Sequence, residues 1–121
     1  MLQWAADSGN IEVMELLLVH GAEFEHKGVN SQSPLASATQ NGQVAVVNLL
    51  IQKGALLEDM DHKGQTPLIR ATEEGHGEIT RILLAHGADH NTSDDKGRTA
   101  LIAATQYGHL RIAKLLVELL E

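Results

Sequence analysis

Apolar positions along this chain recur in short stripes separated by polar turns, and the whole pattern returns every 33 residues. Gly9, Gly42, Gly75 and Gly108 keep that spacing, as do Ala5, Ala38, Ala71 and Ala104, and Leu17, Leu50, Leu83 and Leu116. A Gly-Ala pair recurs in step at Gly21-Ala22, Gly54-Ala55 and Gly87-Ala88. Four marks in one register predict a stacked array of one small unit rather than a single closed core. At 121 residues the chain holds about three and two-thirds units, just above the number such arrays need for stability.

The unit from Asp61 to Ser93 shows the pattern most cleanly. Asp61-His62-Lys63-Gly64-Gln65 is polar turn chemistry. Thr66-Pro67 predicts a helix start, with the Thr hydroxyl as N-cap and Pro at the first helical position, where its missing N–H is not needed. A short helix through Leu68, Ala71 and Thr72 ends at Gly75, which suits a left-handed C-cap. Ile79, Ile82, Leu83 and Leu84 then give the i, i+3, i+4 stripe of a second helix, from about Glu78 to His86, ended by Gly87. The preceding unit repeats this with Ser33-Pro34-Leu35, Gly42, Val46-Val47 and Leu49-Leu50. The following one has Thr99-Ala100-Leu101, Gly108, Ile112 and Leu115-Leu116. Helices of about two to three turns do not hold in water alone, so their order must come from neighbouring layers. Ala38, Ala71 and Ala104 fit close helix approach between those layers.

Composition narrows the function. Hydrophobic residues make up 43% and aromatics only 2%, namely Trp4, Phe24 and Tyr107, which suits thin helical layers. Sixteen acids against nine Lys and Arg give a net charge of -7. That sign disfavours nucleic acid and anionic membrane surfaces as partners. There is no cysteine, hence no disulfide, thiolate metal site or cysteine nucleophile. No apolar run is long enough for a membrane span and no signal-peptide pattern opens the chain, so an intracellular setting, cytoplasmic or nuclear, is expected.

Gly64-Gln65-Thr66-Pro67-Leu68, Ala71, Gly75-His76, Leu83-Leu84 and Gly87-Ala88-Asp89 resemble the ankyrin-repeat signature. The resemblance covers essentially the whole chain in four copies, at roughly residues 2–27, 28–60, 61–93 and 94–121. It implies an all-α solenoid of stacked helix-turn-helix units with protruding β-turn fingers, a concave groove lined by fingers and first helices, and a protein partner rather than a reaction. The family's His after Thr-Pro-Leu is replaced by Gln3, Ala36, Ile69 and Ile102, which implies less rigid fingers. Gly28 and Ser31 stand where the third unit has Asp61 and Gly64, so the second finger is the least regular. Asn91 resembles a position hydroxylated in some ankyrin repeats, although His90 replaces the usual aliphatic residue before it.

By the family's register, the expected contact residues are Val29, Asn30, Gln32, Gln40 and Asn41 in the second unit. In the third they are His62, Lys63, Gln65, Glu73 and Glu74. In the fourth they are Asp95, Lys96, Arg98, Gln106 and Tyr107, with Asp7 and Ser8 as the first unit's pair. Basic fingers beside acidic helix ends imply a polar or mixed-charge partner surface. Arg98 and Tyr107 are the favoured hot spots by residue type, and Trp4 is either packing or contact. Of the seven His, His76 and His109 repeat at a helix-start position, His86 and His90 are four apart but separated by Gly87-Ala88, and the others show no ligand spacing, so no metal site is expected. Glu73-Glu74 and Asp94-Asp95 are adjacent carboxylates, which diverge on a helix. No phosphate loop or nucleophile motif occurs, so neither enzyme activity nor a cofactor is expected. The competing expectation is a spacer in a longer array, or self-association through uncapped ends that leave partly uncovered Leu2, Ile11 and Leu16 at one end and some of Ile112, Leu115, Leu119 and Leu120 at the other.

Overall fold

The computed structural model describes residues 11–20 and 33–119. Seven helices and no strand occur among them: α1 (Ile11–Val19), α2 (Pro34–Gln40), α3 (Val44–Gln52), α4 (Pro67–Glu74), α5 (Gly77–Ala85), α6 (Ala100–Gln106) and α7 (Leu110–Leu119). Helices α2 and α3, α4 and α5, and α6 and α7 pack as pairs. The inner helices α2, α4 and α6 lie side by side along the stack, while α1, α3, α5 and α7 form a looser outer row.

Local chemistry sets each boundary. Ser33, Thr66 and Thr99 hold extended backbone, and their hydroxyls accept the N–H groups of Ala36, Ile69 and Ile102 at 3.2, 3.3 and 3.4 Å. Each cap satisfies an N–H with no partner inside the helix, worth about 1 kcal/mol. Pro34 and Pro67 occupy the first turn, as their fixed φ favours. Gly75 closes α4 in the left-handed region at φ 79°. The outer helix α5 starts and ends one residue before the span predicted from the sequence, within ordinary fraying.

The core is one continuous seam. Leu35 and Leu68 on the inner helices, and Val46, Val47, Leu50, Ile79, Leu83 and Leu116 on the outer ones, are buried. Each large aliphatic contributes about 1.5–3 kcal/mol by leaving water. Ala38, Ala71 and Ala104 are fully buried between inner helices, where a larger side chain would hold the layers apart.

Polar links cross the same seam. The His76 ring Nε2 lies 3.0 Å from the Gln40 carbonyl, and His109 Nε2 lies 3.0 Å from the Glu73 carbonyl. A carbonyl only accepts, so each ring donates from Nε2 to the preceding inner helix. His76 and His109 thus do more than start the outer helices: they tie consecutive units. Asp89 N–H adds a 2.8 Å bond to Glu58 between successive loops.

The ring of His109 rests directly over Gly75, which sets up a comparison. Gly75→Ala should destabilise the fold more than Gly87→Ala. Both place a side chain at positive φ, which costs about 1–2 kcal/mol. At 75 the new methyl also meets His109 Cε1 at 2.7 Å, whereas at 87 nothing lies within 4 Å. Urea unfolding should show an excess loss of about 1–3 kcal/mol at 75. Equal losses would mean that the His109 ring is not packed as described.

Candidate functional site

The fingers begin with an Asp whose carboxylate folds the turn. Asp61 Oδ1 accepts the N–H groups of Lys63 and Gln65 at 2.8 and 3.0 Å, and the backbone closes through Asp61 N–H to Gln65 O at 3.1 Å. Asp94 repeats this with Lys96 and Arg98, both at 2.9 Å, and with Asp94 N–H to Arg98 O at 2.9 Å. In these two fingers a carboxylate braces the turn from its first residue, whatever the missing His would have added. Asp95 N–H also donates to the Lys63 carbonyl at 3.1 Å, so the second described finger is bonded to the first.

Arg98 carries this frame inward. Its Nε donates to Asp94 Oδ2 at 2.9 Å, and its Nη2 reaches Glu73 Oε2 at 3.3 Å. Nη1 lies 3.1 Å from Gln106 Oε1 and 3.4 Å from the Tyr107 hydroxyl, with the guanidinium 5.9 Å from that ring's centre. On the far side of Glu73, Gln65 Nε2 donates to Oε2 at 2.6 Å, and Arg70 Nη1 donates to Gln65 Oε1 at 2.7 Å. One polar chain therefore runs from Arg70 through Gln65, Glu73 and Arg98 to Asp94 and Tyr107. It joins α4, the second described finger and the end of α6.

Burial strengthens these bonds. The side chains of Asp94, Arg98 and Glu73 are 2%, 13% and 16% exposed, so their charge-assisted bonds are largely shielded from water. Burial alone would raise the Asp94 pKa. The backbone and guanidinium N–H groups of Arg98 and the N–H of Lys96 outweigh it, holding the carboxyl below its usual range. For Arg98, the Tyr107 hydroxyl gives the largest push toward the charged form, burial opposes it, and Asp94 and Glu73 reinforce it.

The expected contact residues separate into two groups. Gln65 is only 2% exposed and its amide is engaged on both sides, so it supports the surface from beneath. Arg98 and Glu73 likewise face one another. The alternation of basic fingers and acidic helix ends is thus partly satisfied within the chain. His62, Lys63, Glu74, Asp95, Lys96, Gln106 and Tyr107 are exposed, Tyr107 to 48%. A cleft of about 240 Å³ lies between the two fingers, lined by His62, Lys63, Asp94, Asp95, Lys96 and Arg98. Gln40 is half-buried at the end of α2 and the exposed Asn41 caps that helix. Trp4, Asp7, Ser8, Val29, Asn30 and Gln32 lie outside the described residues.

Sequence reasoning missed the bracing role of Asp61 and Asp94. The signal was present, since the two acids stand 33 apart and each opens a finger. Among the described residues, no group of three or more His, Asp or Glu could hold a metal ion, and no helix is long and apolar enough to cross a membrane.

Comparison with known families bears directly on this layout. The family described as Ankyrin repeats (3 copies) matches residues 1–61 and 55–120, nearly the full chain. No curated protein matches it.

Acid should test the Asp94 brace. Its folded pKa is depressed, so its contribution is complete above the unfolded value of about 3.9 and is lost as pH falls through the folded value. Asp94→Asn should lower stability at neutral pH and show a smaller further loss on going to pH of about 3. Urea midpoints of both proteins at the two pH values measure this. An undiminished acid loss in the variant would remove Asp94 from the account.

Proposed function

Because the chain belongs to the ankyrin-repeat family, a class of protein-interaction modules, we propose that it binds a partner protein segment across its fingers and inner-helix ends. The observation that carries this reading is the Arg98 network. It fixes a finger to two consecutive inner helices and holds Tyr107 with its ring half in water. Tyr107 held against Arg98 supplies an anchor, and the exposed Lys63 and Lys96, which line the finger cleft with Arg98, supply polar contacts. Little ordering remains to be paid at the moment of association. In this reading Arg98 positions Tyr107 and is not itself the main contact. No catalytic role enters the proposal.

Capture from native lysate tests it. Lys63→Ala, Lys96→Ala and Tyr107→Ala together should abolish retention of the specific partner while helix content and a cooperative melt are kept. Tyr107→Ala alone should weaken binding on the order of tenfold. Retention of every captured protein by the folded triple variant would eliminate the reading.

A second reading, self-association, is favoured by one comparison of equivalent positions. Ile69 is 1% exposed because α6 covers it, whereas Ile102, one period later, is 46% exposed. Thr72 is buried and Thr105 is exposed in the same way. Light scattering over a rising concentration series should then show growing mass for the 121-residue chain and a constant monomer for its Ile102→Glu variant. A constant monomer for both would exclude this reading.

A further inference from the structure

Of the four arginines in the chain, Arg70 and Arg98 are bound within the finger network. Arg81 and Arg111 are exposed on the outer helices, and neither guanidinium has a hydrogen-bond or ion-pair partner among the described residues. Both line one groove between α5 and α7. It has a volume of about 500 Å³ and an aliphatic floor of Ile82, Ile112 and Leu115, with Gly77 at one end. The groove runs on past Arg81 and Leu115 into a hollow that also involves Leu84, Ala85 and Leu119.

Two of these residues work against their own helices. Gly77 opens α5, although Gly is a poor helix former and Val44 and Leu110 hold the equivalent positions in neighbouring units. Its φ is not positive, and an added Cβ would make only ordinary contact with Ile112 Cγ1 at 3.8 Å. Neither backbone geometry nor crowding requires glycine there; what the glycine does is leave the groove open. Arg111 lies in the first turn of α7, where the helix dipole favours an acid, and Glu78 holds that position one unit earlier. Glu78 is the single carboxylate on the groove wall. Two choices unfavourable to helix stability thus converge on one opening and give it an arginine rim.

We propose that the groove between α5 and α7 docks an acidic, leucine-bearing segment of a partner protein, separate from the finger surface. Guanidinium forks bind carboxylates in pairs, and an apolar floor between two helices accepts the apolar face of a third. The charge balance selects the occupant. A second copy carries the same net charge of -7, and a polyphosphate backbone would meet two cations on an otherwise acidic protein. A short acidic segment brings only the few carboxylates that two guanidinium groups can pair locally, whereas a second copy brings its whole net charge and a polyphosphate needs more than two cations.

The test titrates the isotope-labelled chain with a short synthetic peptide bearing Leu on one helical face and Glu on the other, followed by amide NMR shifts. Saturable shifts should concentrate on α5 and α7. Arg81→Ala with Arg111→Ala should weaken binding on the order of tenfold or more. Gly77→Leu, which copies the residue at the equivalent position 110, should block the groove while preserving the fold seen by circular dichroism. The triple change at Lys63, Lys96 and Tyr107 should leave peptide binding intact, which separates this site from the finger surface. The proposal is overturned if the peptide causes no saturable shifts, if a peptide with Lys in place of Glu binds equally well, or if the shifts fall on the fingers.

Discussion

The described helices are seven to ten residues long, and such helices do not persist in water without neighbours. That shortfall governs the molecule. Capping by Ser33, Thr66 and Thr99 defines where inner helices begin, but cannot hold them. Order comes from the seam between layers, where Ala38, Ala71 and Ala104 let inner helices approach and Leu35 and Leu68 fill the contact. Each unit is completed by the next, so stability is a sum of nearest-neighbour interfaces rather than the property of one centre.

Glu73 shows how this constraint passes into function. Its backbone carbonyl receives the His109 ring, while its carboxylate receives Gln65 and Arg98. One residue therefore takes part in both the outer and the inner link to the following unit. Arg98, bonded across the seam to Glu73, also lies against the Tyr107 hydroxyl and ring. Rigidity in the proposed binding face is not an addition to the fold. It follows from polar seam contacts placed at the surface end of each layer, where they are shielded enough to be strong and open enough to present side chains.

The elements were legible in the sequence because each depends on residues close together in the chain. Thr66-Pro67, the apolar spacing of Ile79, Ile82 and Leu83, and Gly75 each announce a local event, and the period multiplies the evidence. The site was less legible because its bonds span units. Gln65 and Arg98 occupy equivalent positions, and both looked like polar groove residues. Gln65 is covered on both sides, whereas Arg98 reaches back 25 residues to Glu73. Counting charges along the chain cannot distinguish an acid facing solvent from one facing the next unit's guanidinium. The Asp61 and Asp94 braces fall between these cases: they are local and periodic, but an Asp in a polar turn does not by itself say which N–H groups it takes.

Repetition supplies an internal control that a closed core lacks. Positions separated by 33 residues share backbone geometry, so a difference between them isolates a cause. Ile69 and Ile102 are the same residue in the same helix position, and their unequal burial measures only the presence of a covering layer. Val44, Gly77 and Leu110 differ in side chain where the backbone asks for none of the three in particular, and Glu78 and Arg111 differ in charge where the helix dipole favours one sign. Local rules account for the shared skeleton, and departures from them in a single unit require a reason outside that unit. At Gly77 and Arg111 the departures adjoin one another across an open groove. Stacking in register brings the first turns of consecutive outer helices together, and here it sets an open glycine position beside a guanidinium over an aliphatic floor, a combination that suits a carboxylate-bearing segment.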